Sequence, residues 1–419
     1  MKSLDPSPTR ARARVPRRRG WLRWLGLALG LVAALVVLGI ADAYQAIGTR
    51  PSGGRSERVA ASPEFRGGRF VNSIPRVEPD VWKAAWRWLG GNPNGTPATP
   101  PPVQARAAAD FAAAPAGVRV TWMGHSTLLV ELEGRRVLLD PVFGERCSPS
   151  HFVGPRRFHP VPITIDALPP LDAVVISHDH YDHLDYPSVM QLAKRGVPFL
   201  VPLGVGAHLE YWGVSPASIH ELDWWEQTSL AGLTFVATPA RHFSGRGLGA
   251  DQTLWSGWAL IGREKRAYYS GDTAMFEGFA QIGERLGPFD VSMIEVGAYD
   301  AMWADVHLGP EQAIEAHRAV RGGVLVPVHW GTFDLALHGW TEPMERTLAA
   351  AQAAGVTVVT PRPGQSIDSA APPAPERWWP SIPWRTGAEA PVTSSGLGGT
   401  PQSQRERGDG ESLRVPTEG

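Results

Sequence analysis

The chain has 419 residues, 43% of them hydrophobic and 19% charged, which is too long and too apolar for a wholly disordered polypeptide or a disulfide-knotted mini-protein. Forty Lys and Arg against 41 Asp and Glu leave a formal net charge of -1, so the basic excess that accompanies nucleic-acid binding is missing. Cys147 is the single cysteine. That excludes an intramolecular disulfide and any cysteine-built zinc site, and leaves imidazole and carboxylate as the metal-ligand types to follow.

Arg10, Arg12, Arg14, Arg17, Arg18 and Arg19 precede an apolar run at 24–40, interrupted upstream only by Arg23. A run of this length suits a membrane-spanning segment of about 17–25 residues better than a cleavable signal core of about 7–15. Charge bias keeps the arginines cytoplasmic. The expected organisation is a basic cytoplasmic segment at 1–20, a transmembrane signal-anchor at 21–43 and a Gly/Ser/Arg-rich linker at 44–61. On a bacterial inner membrane this places the domain that follows in the periplasm, held by a single pass. Ala41-Asp42-Ala43 also resembles a small-residue cleavage site, and Arg18-Arg19-Gly20-Trp21-Leu22 a twin-arginine export signal. Export after cleavage, and a cytoplasmic protein with a buried helix, therefore stay open as alternatives.

One domain is expected at 62–367. A short amphipathic helix at 81–89 opens it, with an aromatic face expected to pack on the domain in preference to lipid. From residue 118 short apolar runs alternate with helical periodicity. The runs at 118–122, 127–132 and 136–139 read as an antiparallel meander, and further strands are expected at 173–176, 198–201, 233–237, 267–269, 291–295 and 324–328. Helices are expected at 186–195, 275–286, 310–320 and 342–353. Two substantial sheets with interleaved helices imply an α/β sandwich. Residues 368–419 turn to Pro, Ser, Gly and charge and read as a disordered tail, with Trp378, Trp379 and Trp384 as docking points.

The chemistry concentrates in Ser177-His178-Asp179-His180-Tyr181-Asp182-His183, directly after the apolar strand at 173–176. Alternate residues of an extended segment point the same way, so His178 and His180 can converge on one ion. Asp182 and His183 follow where the chain turns into a helix and can reach a second. Further candidates recur at strand exits: His242 after 233–237, Asp272 after 267–269 and His329 after 324–328. Strand exits are where an α/β fold collects its catalytic groups.

The ordered series His-x-His-x-Asp-His, His, Asp, His resembles the metallo-β-lactamase superfamily, whose fold is an αββα sandwich. Within it the chain is similar to the N-acylphosphatidylethanolamine phospholipase D group and its bacterial lactonase-like relatives. That narrower resemblance rests on Trp122-Met123-Gly124-His125-Ser126-Thr127, Leu139-Asp140-Pro141, Pro155-Arg156-Arg157-Phe158, Ser270-Gly271-Asp272-Thr273, Val296-Gly297-Ala298-Tyr299 and His329-Trp330-Gly331-Thr332-Phe333, and covers about 62–365. The resemblance implies two zinc ions, one held by His178, His180 and His242, the other by Asp182, His183 and His329, with Asp272 bridging. Other divalent transition metals suit the same donors. It also implies a hydroxide shared between the metals as the nucleophile, with Asp272 and Asp182 in the catalytic set.

Asp140 resembles the family's aspartate that orients a metal-bound imidazole; a turn-forming Asp-Pro is the alternative. His125 is a candidate to face the site or to be an ordinary core histidine. His307, with Tyr299 and Trp303 near it in sequence, is a candidate to contact substrate or protonate a leaving group, with a surface role as the alternative. His151, His159, His208, His220, His317 and His338 read as structural or solvated. The function implied is a binuclear zinc phosphodiesterase acting on N-acyl phosphatidylethanolamine or a related phospholipid. A lactonase or other hydrolase of a soluble ester is the alternative, favoured if Arg156, Arg157, Arg241 and Arg246 line the substrate entrance. A noncatalytic membrane-attached metal-binding protein is a third reading, disfavoured because a metal-free buried Asp/His cluster is costly to desolvate. Membrane and a phospholipid or small ester are the expected partners; nucleic acid is not.

Overall fold

The computed structural model describes residues 19–247 and 249–397; 1–18 and 398–419, in the basic segment and the expected tail, lie outside the described residues. Helix α1 (Arg19–Ile47) contains the stretch Arg23–Ile47, long and apolar enough to cross a membrane, and its apolar window is nowhere buried. The expected linker is only partly one. It contains α2 (Gly53–Ala61), which buries Val59 against Phe70 and Trp255 beside the small hairpin of β1 (Phe65–Arg66) and β2 (Arg69–Phe70). A single buried side chain in a helix of nine residues is too weak a pattern to read from sequence.

Helix α3 (Val81–Leu89) forms where amphipathicity predicts it, capped by the Asp80 carboxylate, which accepts from the N–H groups of Trp82 and Lys83 at 3.1 and 3.0 Å. Its aromatic face does not pack on the domain. Trp82 is 84% exposed, Trp86 77% and Leu89 81%.

The first sheet comprises β3 (Arg119–Gly124), β4 (Thr127–Leu132), β5 (Arg135–Leu139), β6 (Ala173–Val175), β7 (Phe199–Pro202) and β8 (Ile219–Leu222). It is antiparallel from β3 to β5 and parallel from β5 to β8. Helices α4 (Tyr186–Lys194) and α5 (Gly206–Tyr211) cover its outer face. Alternation along β4 shows why both faces need cover: Leu128, Val130 and Leu132 point between the sheets, while Leu129 joins Val189, Leu192 and Leu209 of the helical layer.

The second sheet runs β9 (Gln227–Leu230), β10 (Leu233–Thr238), β13 (Gly257–Ile261), β14 (Arg266–Tyr269), β15 (Phe289–Glu295) and β16 (Gly322–Val328), parallel only across its last three strands. A hairpin of β11 (Gly245–Arg246) and β12 (Gly249–Ala250) stands apart from it. Helices α6 (Gly278–Leu286), α7 (Pro310–Ala319) and α8 (Glu342–Ala354) contribute Phe279, Ile282, Ile314 and Met344 to the core around this sheet. The result is a mixed αββα sandwich. Strand β17 (Ser366–Asp368) returns to pair with β3.

The expected disordered tail is laid on the domain as far as residue 397. Its Trp379 is buried and donates to the Glu345 carboxylate at 2.8 Å, and the Ser395 backbone carbonyl accepts from the buried Arg241 at 2.9 Å. Composition misses this because the partners lie in distant parts of the chain.

His159 and His317, read as structural or solvated, are buried. Burial pushes both from the ordinary 6.5 down to about 4. Between about pH 4 and 6.5 the unfolded chain then binds more protons than the native one, so these groups take stability away as pH falls through that window, and no more below it. Thermal unfolding of the metal-free protein is expected to weaken from pH 7 to pH 4, with a shallower pH slope in His317→Gln than in the wild type.

Candidate metal centre

The exits of β5, β6, β10, β14, β15 and β16 meet at one rim of the sandwich, which brings the candidate side chains within reach of one another. His178 Nε2 lies 2.8 Å from His180 Nδ1, and His242 Nε2 lies 3.2 Å from the same atom. Three ring nitrogens so converge on one point. Burial holds His178 and His242 far below their usual pKa, hence neutral with lone pairs free.

The second cluster joins Asp182, His183 and His329, as the motif implies, and adds His125. Asp182 Oδ2 is 2.9 Å from His125 Nε2, 3.2 Å from His329 Nε2 and 3.4 Å from His183 Nε2. Asp272 lies between the clusters. Its Oδ2 is 3.0 Å from His329 Nε2, 3.1 Å from His183 Nε2, 3.8 Å from His242 Nε2 and 3.9 Å from His178 Nε2.

The donors fit a pair of cations. Nitrogens bound to a tetrahedral zinc at about 2.0–2.1 Å stand roughly 3.3 Å apart, close to the separations above. His183 Nε2 and Asp272 Oδ1 are buried with no hydrogen-bond partner among the described residues, which is costly unless something else satisfies them. Burial works against a charged His329, yet Asp272 and Asp182 push it up to about 10. Burial likewise opposes ionised Asp272 and Asp182, and His183 holds both well below the usual carboxylate range. Protons on these imidazoles stand where a divalent ion would supply the positive charge.

Around the clusters, Asp140 is wholly buried. Its carboxylate lies 2.7 Å from His183 Nδ1 and accepts from the Ser177 N–H at 2.7 Å, with the Tyr269 hydroxyl donating as well. This is a geometry that orients a ligand imidazole. His125, Asp140 and His329 have φ of 54°, 37° and 64°, a left-handed backbone that costs such residues of order 1–3 kcal/mol each and clusters at functional sites. At Gly297 a Cβ would meet the His329 carbonyl oxygen at 1.9 Å, so only glycine admits that close approach.

His307 Nδ1 lies 2.8 Å from Glu295 Oε2, and the ring lines a cavity of about 300 Å³ above the clusters. Glu295 escaped sequence reading. It is fully buried, and its Oε1 accepts from the N–H groups of Thr273 at 2.6 Å and Leu308 at 3.2 Å. The available signal was a charge closing the otherwise apolar run 291–295. Tyr299 is not brought to the site: its hydroxyl donates to Glu342 at 3.0 Å, away from the cavity, while Ala298 lines it.

Four similarities to known proteins accompany this geometry. Residues 135–330 match the Beta-lactamase superfamily domain. An uncharacterized protein of Mycobacterium tuberculosis is 48% identical over 327 residues, covering 76% of this chain and 87% of that protein. N-acyl-phosphatidylethanolamine-hydrolyzing phospholipase D 1 of Caenorhabditis elegans is 39% identical over 232 residues, covering 52% of this chain and 65% of that protein. Among solved structures, the metallo hydrolase Igni18 of Ignicoccus hospitalis aligns with a TM-score of 0.46 at 24% identity, over 60% of this chain and 97% of that one. The chain belongs to the metallo-β-lactamase superfamily and is a metal-dependent hydrolase.

Asp140→Asn replaces the charged acceptor beside His183 by an amide. Metal affinity, read by chelator competition, is expected to fall about 10–100-fold, with the near-ultraviolet circular dichroism unchanged.

Proposed function

We propose that this hydrolase is a binuclear, zinc-dependent phosphodiesterase that cleaves N-acyl phosphatidylethanolamine or a closely related phospholipid, releasing phosphatidic acid and the N-acylated ethanolamine. The observation that carries this reading is the two-sided cavity over the clusters. Its floor is polar, with His180, Asp182, Asp272 and His329, and its walls are apolar, with Pro79, Phe243, Trp303, Val306 and Leu335. Such a site suits an amphiphile whose phosphodiester meets the ions while its chains lie along the walls. The similarity to the C. elegans phospholipase D adds support.

The arginines that favour a soluble ester are engaged elsewhere. Arg241 serves the carbonyls of Pro75 and Ser395, Arg246 those of Ala46, Asp179 and Leu184, and Arg157 those of Val142 and Gly144. Arg156 pairs with Glu145 at the surface.

Two bound divalent ions would activate water and neutralise charge at phosphorus; His178, His180 and His242 would hold one, Asp182, His183 and His329 the other, and Asp272 would bridge. The chain's own groups do the rest. Glu295 accepts from Nδ1 of His307, which fixes the tautomer and leaves Nε2 as the ring nitrogen available to the cavity. Water adds to phosphorus and gives up a proton to His307 Nε2, the bond from phosphorus to the ethanolamine oxygen breaks, and His307 passes that proton to the departing oxygen. We assign α1 as the single-pass anchor in the bacterial inner membrane, with the domain in the periplasm. The exposed Trp82, Trp86 and Leu89 of α3 supply an apolar surface next to Pro79 of the cavity.

Vesicles containing N-acyl phosphatidylethanolamine are expected to release phosphatidic acid with the zinc-loaded full chain, and to release at least about a hundredfold less with Asp272→Asn. No release with both ions bound would return the soluble-ester reading. The double substitution Trp82→Ala and Trp86→Ala is expected to slow turnover on vesicles severalfold while sparing turnover of a detergent-dispersed substrate.

A further inference from the structure

Two buried polar side chains join the chain that leaves α1 to the loop carrying His180, Asp182 and His183. The Arg246 guanidinium donates to the Asp179 carbonyl at 2.6 Å and to the Leu184 carbonyl at 2.9 Å, so it grips that loop at both ends. Its Nε donates to the Ala46 carbonyl at 3.1 Å. A guanidinium removed from water needs acceptors for its donors. One of them, the Ala46 carbonyl, lies 200 residues away from Arg246 in sequence.

The second link is His208. The Thr49 N–H donates to its Nδ1 at 3.1 Å, and its Nε2 lies 3.3 Å from the Asp179 carboxylate. That carboxylate sits between two ligand candidates in sequence but belongs to neither cluster. It also accepts from the Gly245 N–H at 2.7 Å and the Thr253 hydroxyl at 2.9 Å. The strap is docked closely: a Cβ at Gly48, where φ is +77°, would meet His208 Nδ1 at 2.2 Å. The Trp212 indole fastens its start by donating to the Gln45 carbonyl at 2.7 Å.

We propose that residues 45–49, at the end of the membrane-length stretch and just beyond it, are a working part of the metal-binding loop, with Arg246 and His208 as positioning residues that hold 179–184 in ligand geometry while this strap is docked. Metal retention is then coupled to the seating of the membrane-side helix on the domain. The proposal rests on reading the two clusters as a metal centre.

The test loads the full chain, in detergent micelles, with cobalt(II), and follows both its visible spectrum and its loss to a competing chelator. Gly48→Val displaces the strap without altering the loop, and Trp212→Phe removes one of its hydrogen bonds conservatively. Gly48→Val is expected to release cobalt about tenfold more readily, in the range found for residues supporting metal ligands, with an altered spectrum and a metal-free unfolding midpoint close to wild type. Trp212→Phe is expected to show about a threefold effect in the same direction, and it decides the matter if Gly48→Val does not fold. Cobalt retention within twofold of wild type in the folded variants would overturn the proposal. Failure of the wild type to bind cobalt would remove the metal centre itself, and the proposal with it.

Discussion

The Asp272 carboxylate is buried at the rim where the two sheets meet, with five imidazoles within 4 Å of its Oδ2. An ionised carboxylate in that position is tolerable only with positive charge arranged around it. Four of these imidazoles follow the ends of β6, β10 and β16, and His307 comes from the segment between β15 and α7, so the strand exits must lie at one height. The parallel pairings of β5 with β6 and of β14 with β15 and β16 achieve that, since parallel neighbours in register end together. Asp140, Asp272 and His329 are therefore set by sheet register before any side chain is chosen.

Aromatic packing converts that register into side-chain precision. Trp122 of β3 stacks on Trp330 with centroids 5.3 Å apart and planes 11° from parallel. Trp330 follows His329 directly, and the His329 N–H donates to the His125 carbonyl at 3.1 Å. The cluster histidine is thereby held between the two sheets by its neighbour in sequence. Trp378 and Trp379, from the segment beyond β17, pack on Trp330 as well, so the C-terminal segment supports the site that it never enters.

The N-terminal part reaches the same rim from the other side. Ile47, at the end of α1, lies against Gly247 of the β11–β12 turn. Asp251, just beyond β12, faces Arg76, whose guanidinium lies 4.7 Å over the ring of Phe243, a wall of the cavity. A helix of membrane length, the ligand loop and the cavity mouth are thus connected through a few buried polar contacts. The exposed tryptophans of α3 extend the apolar surface on this side.

The local part of this arrangement was legible from residues alone. His178, His180, Asp182 and His183 lie within six positions after an apolar strand, and backbone geometry at neighbouring residues is enough to bring them together. His242, Asp272 and His329 were legible through their common setting at strand exits. The sandwich followed from alternating strand and helix patterns, although β8, β9 and β17 carry signals too short or too polar to stand out, and β13 lies outside the expected strands although its run Gly-Trp-Ala-Leu-Ile is apolar. Tertiary structure alone decided the rest. It drew His125 into the second cluster, buried Glu295 behind His307, and turned Tyr299 towards Glu342. It also exposed α3 and docked residues 368–397. A periodic pattern records which face of a segment is apolar, whereas whether that face, or a buried charge, finds a partner depends on groups brought from far along the chain.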